Sequence, residues 1–181
     1  INIALYNSNS TLPFYNVITN PNINPIITYS LLNYIDKDIS YLNNDIPQLL
    51  PLMDQLGYPQ ALEQFTTRFQ EFLRQDGYGI IVAESEKILG ALAWSKSLLL
   101  ISHKTRFHIE ALVVDQNHRS LGVGRLLLNY LEQWVQPWSP CIIDLTSGLR
   151  RSPQGVHKFY ASLGYHNEGP MAKLYLRKEI S

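Results

Sequence analysis

The sequence predicts an α/β fold, with a mixed, mostly antiparallel central sheet and helices on both of its faces. Three strand-like runs follow one another in the middle of the chain, at 78–84, 88–100 and 106–115. After them the spacing of apolar residues changes to the helical period of about 3.6 residues, and a further strand and helix follow. Strands and helices in this order are typical of a sheet that is covered by helices.

Two helices are predicted ahead of these strands. A short strand-like run at 39–42 comes first, and then Leu49, Leu52 and Leu56 lie at helical spacing up to a glycine at 57. A second helix over 60–75 is predicted from the same spacing of its phenylalanines. The order before the sheet is therefore strand, helix, helix.

The rest of the chain continues the alternation. An apolar stripe from Val123 to Trp134 predicts a helix, which Pro137 ends. A buried strand is predicted at 141–146, a helix at 156–163 and a last strand at 171–177. The turn at 85–87 joins the first two central strands as a hairpin.

The start of the chain differs in composition from the rest. The first 35 residues contain no Asp, Glu, Lys or Arg, are rich in asparagine, and carry three prolines that break long regular elements. We therefore predict an uncharged Asn-rich extension at 1–37 and one domain at 38–181. The sequence leaves open whether the extension packs on a sheet edge or is a loose leader.

Composition excludes several classes of function. Lys plus Arg equals Asp plus Glu at 15 each, which argues against non-specific binding of nucleic acid. The longest apolar stretch, 88–101, is interrupted by Ser95, Lys96 and Ser97, so no membrane association is expected. Cys141 is the only cysteine, which excludes an intrachain disulfide and favours a cytoplasmic location. Common metal-site spacings are absent, and no metal is expected.

The segment most informative about chemistry is 109–125, a Val-rich strand that runs into a helix and contains EALVVDQNHRSLGVGR. Glycines at a helix start let a ligand approach the backbone closely. The first helical turn offers unpaired N–H groups and the positive end of the helix dipole. Together these features predict a seat for phosphate or diphosphate, to which Arg119 and Arg125 can add charge-assisted hydrogen bonds.

Three other interpretations of this segment compete with a phosphate seat. Two glycines can simply shape a tight turn. A Walker A loop requires Gly-Lys-Ser/Thr, and here an arginine follows Gly124. A dinucleotide-binding fingerprint requires a third glycine where Leu127 stands, and six residues separate Asp115 from Gly122. A different kind of phosphate binder remains an alternative.

Three runs carry a resemblance to a known family. LVVDQNHRSLGVGRLLL at 112–128 resembles the acetyl-CoA motif of the GNAT superfamily (GCN5-related N-acetyltransferases), Arg/Gln-x-x-Gly-x-Gly/Ala after a Val-rich fourth strand. VHKFYASLGY at 156–165 resembles the second signature of that family, and DIPQLLPLMDQLGYP at 45–59 is similar to its first helix. The resemblance covers residues 38–177.

The resemblance implies an N-acetyltransferase that moves the acetyl group of acetyl-CoA, its co-substrate, directly to a primary amine. It further implies that strands 4 and 5 splay apart, so that backbone of strand 4 pairs with pantetheine while the glycine turn holds the diphosphate. The cofactor-binding residues implied are Leu112, Val113, Val114, Arg119, Ser120, Leu121, Gly122, Val123, Gly124 and Arg125. The family often carries an asparagine seven residues before its tyrosine, where this chain has Pro153.

Two catalytic residues follow from the same resemblance. Tyr160 is the implied general acid, because a phenol stays protonated near neutral pH and can donate to the leaving thiolate. Glu110 is the implied general base, and His108 on the same strand is the alternative. Taken alone, Tyr160 would pass for a core aromatic and Glu110 for a surface residue of a strand.

The partner is expected to be a small-molecule or peptide amine, whose identity the sequence leaves open. A non-catalytic CoA-binding sensor or scaffold with the same fold is the rival hypothesis, and Pro153 favours it. Because members of the family often dimerise, the resemblance also leaves a homodimer open.

Overall fold

The computed structural model describes residues 1–7, 39–148, 155–169 and 172–180. The chain forms two compact units, Ile1–Ile143 and Asp144–Ser181. The described residues of the first unit form four complete strands and three α-helices, and those of the second form one short α-helix.

The described residues form one sheet of five strands, in the order β1-β2-β3-β4-β5. Each of the first four strands is antiparallel to its neighbour in this order. The strands are β1 (Asn2–Asn7), β2 (Tyr78–Glu84), β3 (Ile88–Leu98), β4 (Thr105–Val114) and β5 (Cys141–Leu145). The three central strands and β5 lie where the sequence predicted them.

Strand β1 comes from the segment predicted as an extension. It pairs with β2 along its whole length and buries Ile3 and Leu5. These two residues are two positions apart in the strand, so their side chains lie on the same face of it. The first seven residues therefore belong to the sheet, while residues 8–38 lie outside the described part of the chain. The domain boundary after residue 37 stays a prediction.

Helix α1 spans Ile39–Leu56, so the strand predicted at 39–42 is wrong. The apolar residues of that run continue the spacing of three and four that leads on to Ile46 and Leu49, and this spacing favours a helix. The helix contains both Pro47 and Pro51. Helix α2 (Leu62–Arg74) confirms the second predicted helix.

Helices cover both faces of the sheet, which confirms the α/β fold class. On one face, Leu49 of α1 and Phe69 of α2 belong to a core cluster that includes Ala91 of β3. Helix α3 (Val123–Trp134) reaches Gly90, the neighbour of Ala91, with Val123. Since successive residues of a strand point to opposite faces, α3 lies on the other face.

Four aromatic rings pack together on the α3 face. Trp94 of β3 lies 4.5 Å from Trp134 of α3, and Phe107 of β4 lies 5.7 Å from Trp138, measured between ring centroids. Trp94 is 2% exposed and Phe107 is fully buried. Large buried rings in contact give this face a rigid core that holds β3, β4 and α3 together.

The second unit contains helix α4 (Val156–Ala161), at the position predicted for a helix, although shorter. The strand predicted at 171–177 is wrong for its described residues, 172–177, which adopt no strand. Leu174, Tyr175 and Leu176 are all largely exposed. A strand in a sheet buries at least one of its faces and pairs its backbone, and this segment does not bury either face.

Gly90 permits the close contact between β3, β4 and α3. A Cβ atom at this position would lie 2.9 Å from the carbonyl oxygen of Val113 and 3.3 Å from side-chain atoms of Val123 and Leu127. We predict that Gly90→Ala lowers stability by roughly 1–3 kcal/mol, because a well-packed site is overfilled. Thermal unfolding measures the change, and Ser97→Ala, at an exposed position of the same strand, is the control. An unchanged melting temperature of Gly90→Ala would contradict this prediction.

Candidate active site

Glu110 lies at a β-bulge in β4. In the register with β3, Ala111 is opposite Ala93 and Ile109 is opposite Trp94, so Glu110 is skipped. One extra residue in one strand of an antiparallel pair bends that strand and redirects its side chains. Glu110 is exposed, whereas the preceding Ile109 is only 4% exposed. The predicted base is therefore the solvent-exposed residue of the bulge.

The carboxylate of Glu110 is held by a serine of the neighbouring strand. Ser95 Oγ donates a hydrogen bond of 2.6 Å to Glu110 Oε1. Ser95 is also the register partner of His108, so these three side chains lie together at the β3–β4 pair. Ser95 alternates with Ala93 and Ala91, which places it on the face that helices α1 and α2 cover further along. Sequence analysis missed Ser95, because its contact depends on strand register.

His108 is engaged by Arg106. Arg106 Nη2 lies 2.9 Å from His108 Nδ1. A guanidinium group only donates hydrogen bonds, so His108 accepts through Nδ1 and carries its proton on Nε2. To accept a proton at Nδ1, His108 would have to give up this contact. Of the two predicted bases, Glu110 is therefore the better placed.

On the side of β4 that faces away from β3, where β5 is its neighbour in the sheet order, backbone N–H groups point outwards at alternate residues. Asp115 N donates to Leu89 O over 2.8 Å, and the register places Val113 opposite Ala91 two residues further on. In an antiparallel pair, alternate residues exchange hydrogen bonds and those between them point away. The N–H groups of Leu112 and Val114 therefore point away from β3, while that of Val113 points towards it. Two of the three predicted strand residues have the orientation that strand-like pairing with a ligand requires.

Behind β4 the chain turns into α3 through two left-handed residues. Ser120 has φ +62° and Gly122, the N-cap of α3, has φ +88°. The first hydrogen bond within the helix runs from Leu126 N to Gly122 O, so the amides of Val123, Gly124 and Arg125 precede it. A Cβ at Gly122 would meet none of the described atoms within 4 Å. This helix start is open and carries the donors that an anion requires.

Arg119 stands between the strand and this turn. Its Nε donates to Val114 O over 3.1 Å, so the side chain folds back onto the end of β4. The turn residues that follow, Ser120 and Leu121, are exposed. Arg119 thus fixes the geometry of the turn as well as contributing charge beside it.

Asp115 holds the short 3-10 helix at Gln116–His118 that precedes Arg119. Its Oδ1 accepts from Asn117 N over 3.0 Å and lies 2.8 Å from His118 Nδ1, and its Oδ2 accepts from Gln55 Nε2 over 3.2 Å. The hydrogen bond from His118, followed by that from Gln55, lowers the pKa of Asp115 from 3.8 to about 2. Sequence analysis missed Gln55 because it lies 60 residues from Asp115.

Tyr160 lies on α4 in the second unit. It is half-buried between Phe159 and Tyr165, at centroid distances of 5.3 and 5.9 Å. Gly155 and Gly164, both at positive φ, bracket the helix. The neighbouring Pro153 lies outside the described residues. Glu110 and Tyr160 belong to different units, and the pairing of their roles stays a prediction.

A family model described as the acetyltransferase (GNAT) family matches residues 46–165, about two thirds of the chain. The chain belongs to the GNAT acetyltransferase family. This confirms the resemblance drawn from the motifs. An uncharacterized N-acetyltransferase of Bacillus subtilis (strain 168) is 26% identical over 110 residues, which cover 61% of this chain and 76% of that protein.

Solved structures share the fold of this GNAT chain. A GNAT family acetyltransferase of Staphylococcus aureus subsp. aureus USA300_TCH1516 matches with a TM-score of 0.62 at 23% identity, over 81% of this chain and 95% of that one. An aminoglycoside acetyltransferase from an uncultured soil metagenomic sample, in complex with sisomicin, matches with a TM-score of 0.57 at 22% identity, over 75% and 91%. At these identities the likeness supports the fold alone.

The described ranges lack both a membrane-spanning helix and a cluster of metal-binding side chains. No helix in them combines the length and apolar character needed to cross a membrane. Nor do the described residues include a group of three or more His, Cys, Asp or Glu side chains that could hold a metal ion.

The low pKa of Asp115 makes its contribution to stability depend on pH. Because the folded pKa is lowered, the stabilisation is complete above about pH 4 and is lost as pH falls towards 2. We predict that Asp115→Asn costs roughly 1–2 kcal/mol at pH 6, through lost charge-assisted bonds, and that its deficit shrinks between pH 4 and pH 3. Melting temperatures at these pH values test this, with Asp54→Asn on an exposed turn of α1 as control. If the loss of stability in Asp115→Asn is the same at every pH, the prediction is wrong.

Proposed function

We propose that this GNAT protein transfers the acetyl group of acetyl-CoA directly to a primary amine. The observation that carries the proposal is the bulge of β4, where Glu110 is exposed two residues before Leu112, whose amide points away from β3. A base and a backbone donor for the acyl carbonyl are thereby offered by one strand. Membership of an acetyltransferase family supports the reaction type.

The acyl donor would bind along β4 and α3. The N–H groups of Leu112 and Val114 would pair with the pantetheine arm as a neighbouring strand does. The amides from Ser120 to Arg125 would receive the diphosphate, with the dipole of α3 adding to the attraction. Both parts use backbone donors, so the binding depends on conformation more than on side-chain type.

The chemistry then needs two proton transfers. Glu110, directly or through a water, takes a proton from the amine, whose nitrogen forms a bond to the thioester carbonyl carbon. The amide of Leu112 stabilises the charge that develops on the carbonyl oxygen. When the carbon–sulfur bond breaks, Tyr160 gives its proton to the thiolate of CoA. The products are an N-acetylated amine and CoA.

Ser95 would assist the base by orienting it. Its hydroxyl donates to one oxygen of Glu110, which leaves the second oxygen to face the amine. A hydrogen bond of this kind restrains the orientation of the carboxylate. The acceptor itself is proposed only as a class, a small-molecule or peptide amine.

A release assay for free thiol tests the function. The purified protein is mixed with acetyl-CoA and a panel of amines, which includes polyamines, lysine peptides and aminoglycosides, the last because a structural neighbour is one of their acetyltransferases. Thiol release that depends on one amine supports the proposal. Binding of CoA by calorimetry without turnover on any amine would favour the sensor alternative, and no binding would overturn both.

Removal of the base should affect turnover and not binding. We predict that Glu110→Gln lowers kcat by roughly 10²–10⁴-fold at pH 7, with the dissociation constant of acetyl-CoA unchanged. The deficit should narrow at high pH, where more of the amine is already unprotonated. Ser97→Ala, on the exposed part of β3, is the control. A kcat within twofold of the wild type would remove Glu110 from the mechanism.

Removal of the acid should show the same separation. We predict that Tyr160→Phe lowers kcat about tenfold or more while the affinity for acetyl-CoA stays the same, because the ring keeps its packing and loses only the proton donor. Tyr165→Phe, which changes its ring neighbour in the same way, is the matched control. Equal turnover by the two variants would argue against Tyr160 as the acid.

A further inference from the structure

One side chain joins helix α1 to the loop that follows β4. Gln55 Nε2 donates to Asp115 Oδ2 over 3.2 Å, and Gln55 Oε1 accepts from Gln116 N over 2.7 Å. If the amide of Gln55 were flipped, its NH2 group would face the N–H of Gln116 and its oxygen would face the carboxylate of Asp115. The two bonds therefore fix both the position and the orientation of Gln55.

The same loop is held from two other sides. Asp115 N donates to Leu89 O of β3, and the Asp115 carboxylate accepts from Asn117 N within the loop. Arg119 then reaches back to Val114 O. Residues 115–119 are thus attached to β3, to the end of β4 and to α1. Among these contacts, those of Gln55 make the attachment to α1.

This loop leads directly into the turn that would hold the diphosphate. The turn contains Ser120 at φ +62°, a left-handed conformation that costs a residue with a side chain roughly 1–2 kcal/mol. Strained residues persist where the surrounding structure determines their position. If the loop were released, the turn would spend part of its time in other conformations, and the apparent affinity for a ligand falls by that fraction.

We propose that Gln55 is a positioning residue for the acyl donor, which sets the affinity for acetyl-CoA by holding Asp115 and Gln116 in place. This inference rests on the proposed function, because it assigns the Ser120–Arg125 turn to the diphosphate. Gln55 acts through the loop, and its removal should weaken binding more than it slows the chemical step.

Matched variants of α1 test the proposal. Gln55→Met keeps the length of the side chain and removes both bonds. Gln48→Met does the same at Gln48, whose Oε1 accepts from Ile88 N over 3.2 Å and so ties the same helix to the start of β3. With CoA as the titrant, calorimetry should show the dissociation constant of Gln55→Met raised roughly three- to thirty-fold, with kcat within twofold of the wild type at saturating acetyl-CoA. Gln48→Met should bind as the wild type does.

A paired exchange separates positioning from general destabilisation. Gln55→Glu keeps an oxygen that accepts from Gln116 N, but it places a second carboxylate next to that of Asp115. Asp115→Asn places a side-chain amide next to the NH2 group of Gln55, so that two donors face each other. Together they restore one donor and one acceptor, with the carboxylate now on α1. The double variant should bind CoA within about threefold of the wild type, whereas each single variant binds more weakly.

The outcomes distinguish this inference from the proposed function. No CoA binding by the wild type overturns the proposed function and the inference with it. If the wild type binds CoA and Gln55→Met has the same dissociation constant, the inference alone is overturned. The same holds if the losses of binding free energy in the two single variants add up in the double variant. Hydrogen exchange in the free protein gives an independent readout: amides 116–119 should exchange faster in Gln55→Met than in Gln48→Met, and equal rates would also overturn it.

Discussion

The antiparallel pairing of β4 with β3 is the constraint on which the candidate site depends. The pairing uses the amide of Val113 and directs those of Leu112 and Val114 away from β3. A regular strand would continue this pattern, but the bulge inserts Glu110 as an extra residue, which is exposed to solvent. One strand thereby belongs to the core of the sheet and also carries an exposed carboxylate two residues from a backbone N–H that points away from β3.

The two faces of the sheet support this strand in different ways. On the α3 face, Gly90 allows helix and strand to approach closely, and the rings of Trp94, Phe107 and Trp134 fill the space further along. On the opposite face, α1 and α2 cover the sheet as far as Ala93, and the polar pair of Ser95 and Glu110 follows. Tight packing on one face restrains the backbone, while on the other face Glu110 is exposed.

Local patterns predicted the elements whose apolar spacing is long and regular, namely β2 to β4, α2 and α3. They failed where the pattern is short or fits a strand and a helix equally well. Ile3 and Leu5 alternate over too few residues to stand out, and residues 39–42 fit a strand as well as a helix. Glu110 and the glycines of the candidate site were predicted together, because they lie in one stretch of the sequence, 109–125. The contacts of Ser95 and Gln55 depend on strand register and on tertiary packing, which spacing along the chain does not encode.

The glycine turn illustrates the limit of reasoning from a motif. Gly122 supplies a left-handed residue without strain, but Ser120 also adopts a left-handed conformation and has a side chain that opposes it. The motif alone therefore does not determine the shape of the turn. That shape is imposed from both ends, by the hydrogen bonds of Asp115 and Arg119 before it and by the buried Val123 and Leu127 after it. If these backbone amides hold a diphosphate, as proposed, they can do so only while the backbone keeps that shape, and the residues that maintain the shape then contribute to binding together with the glycines.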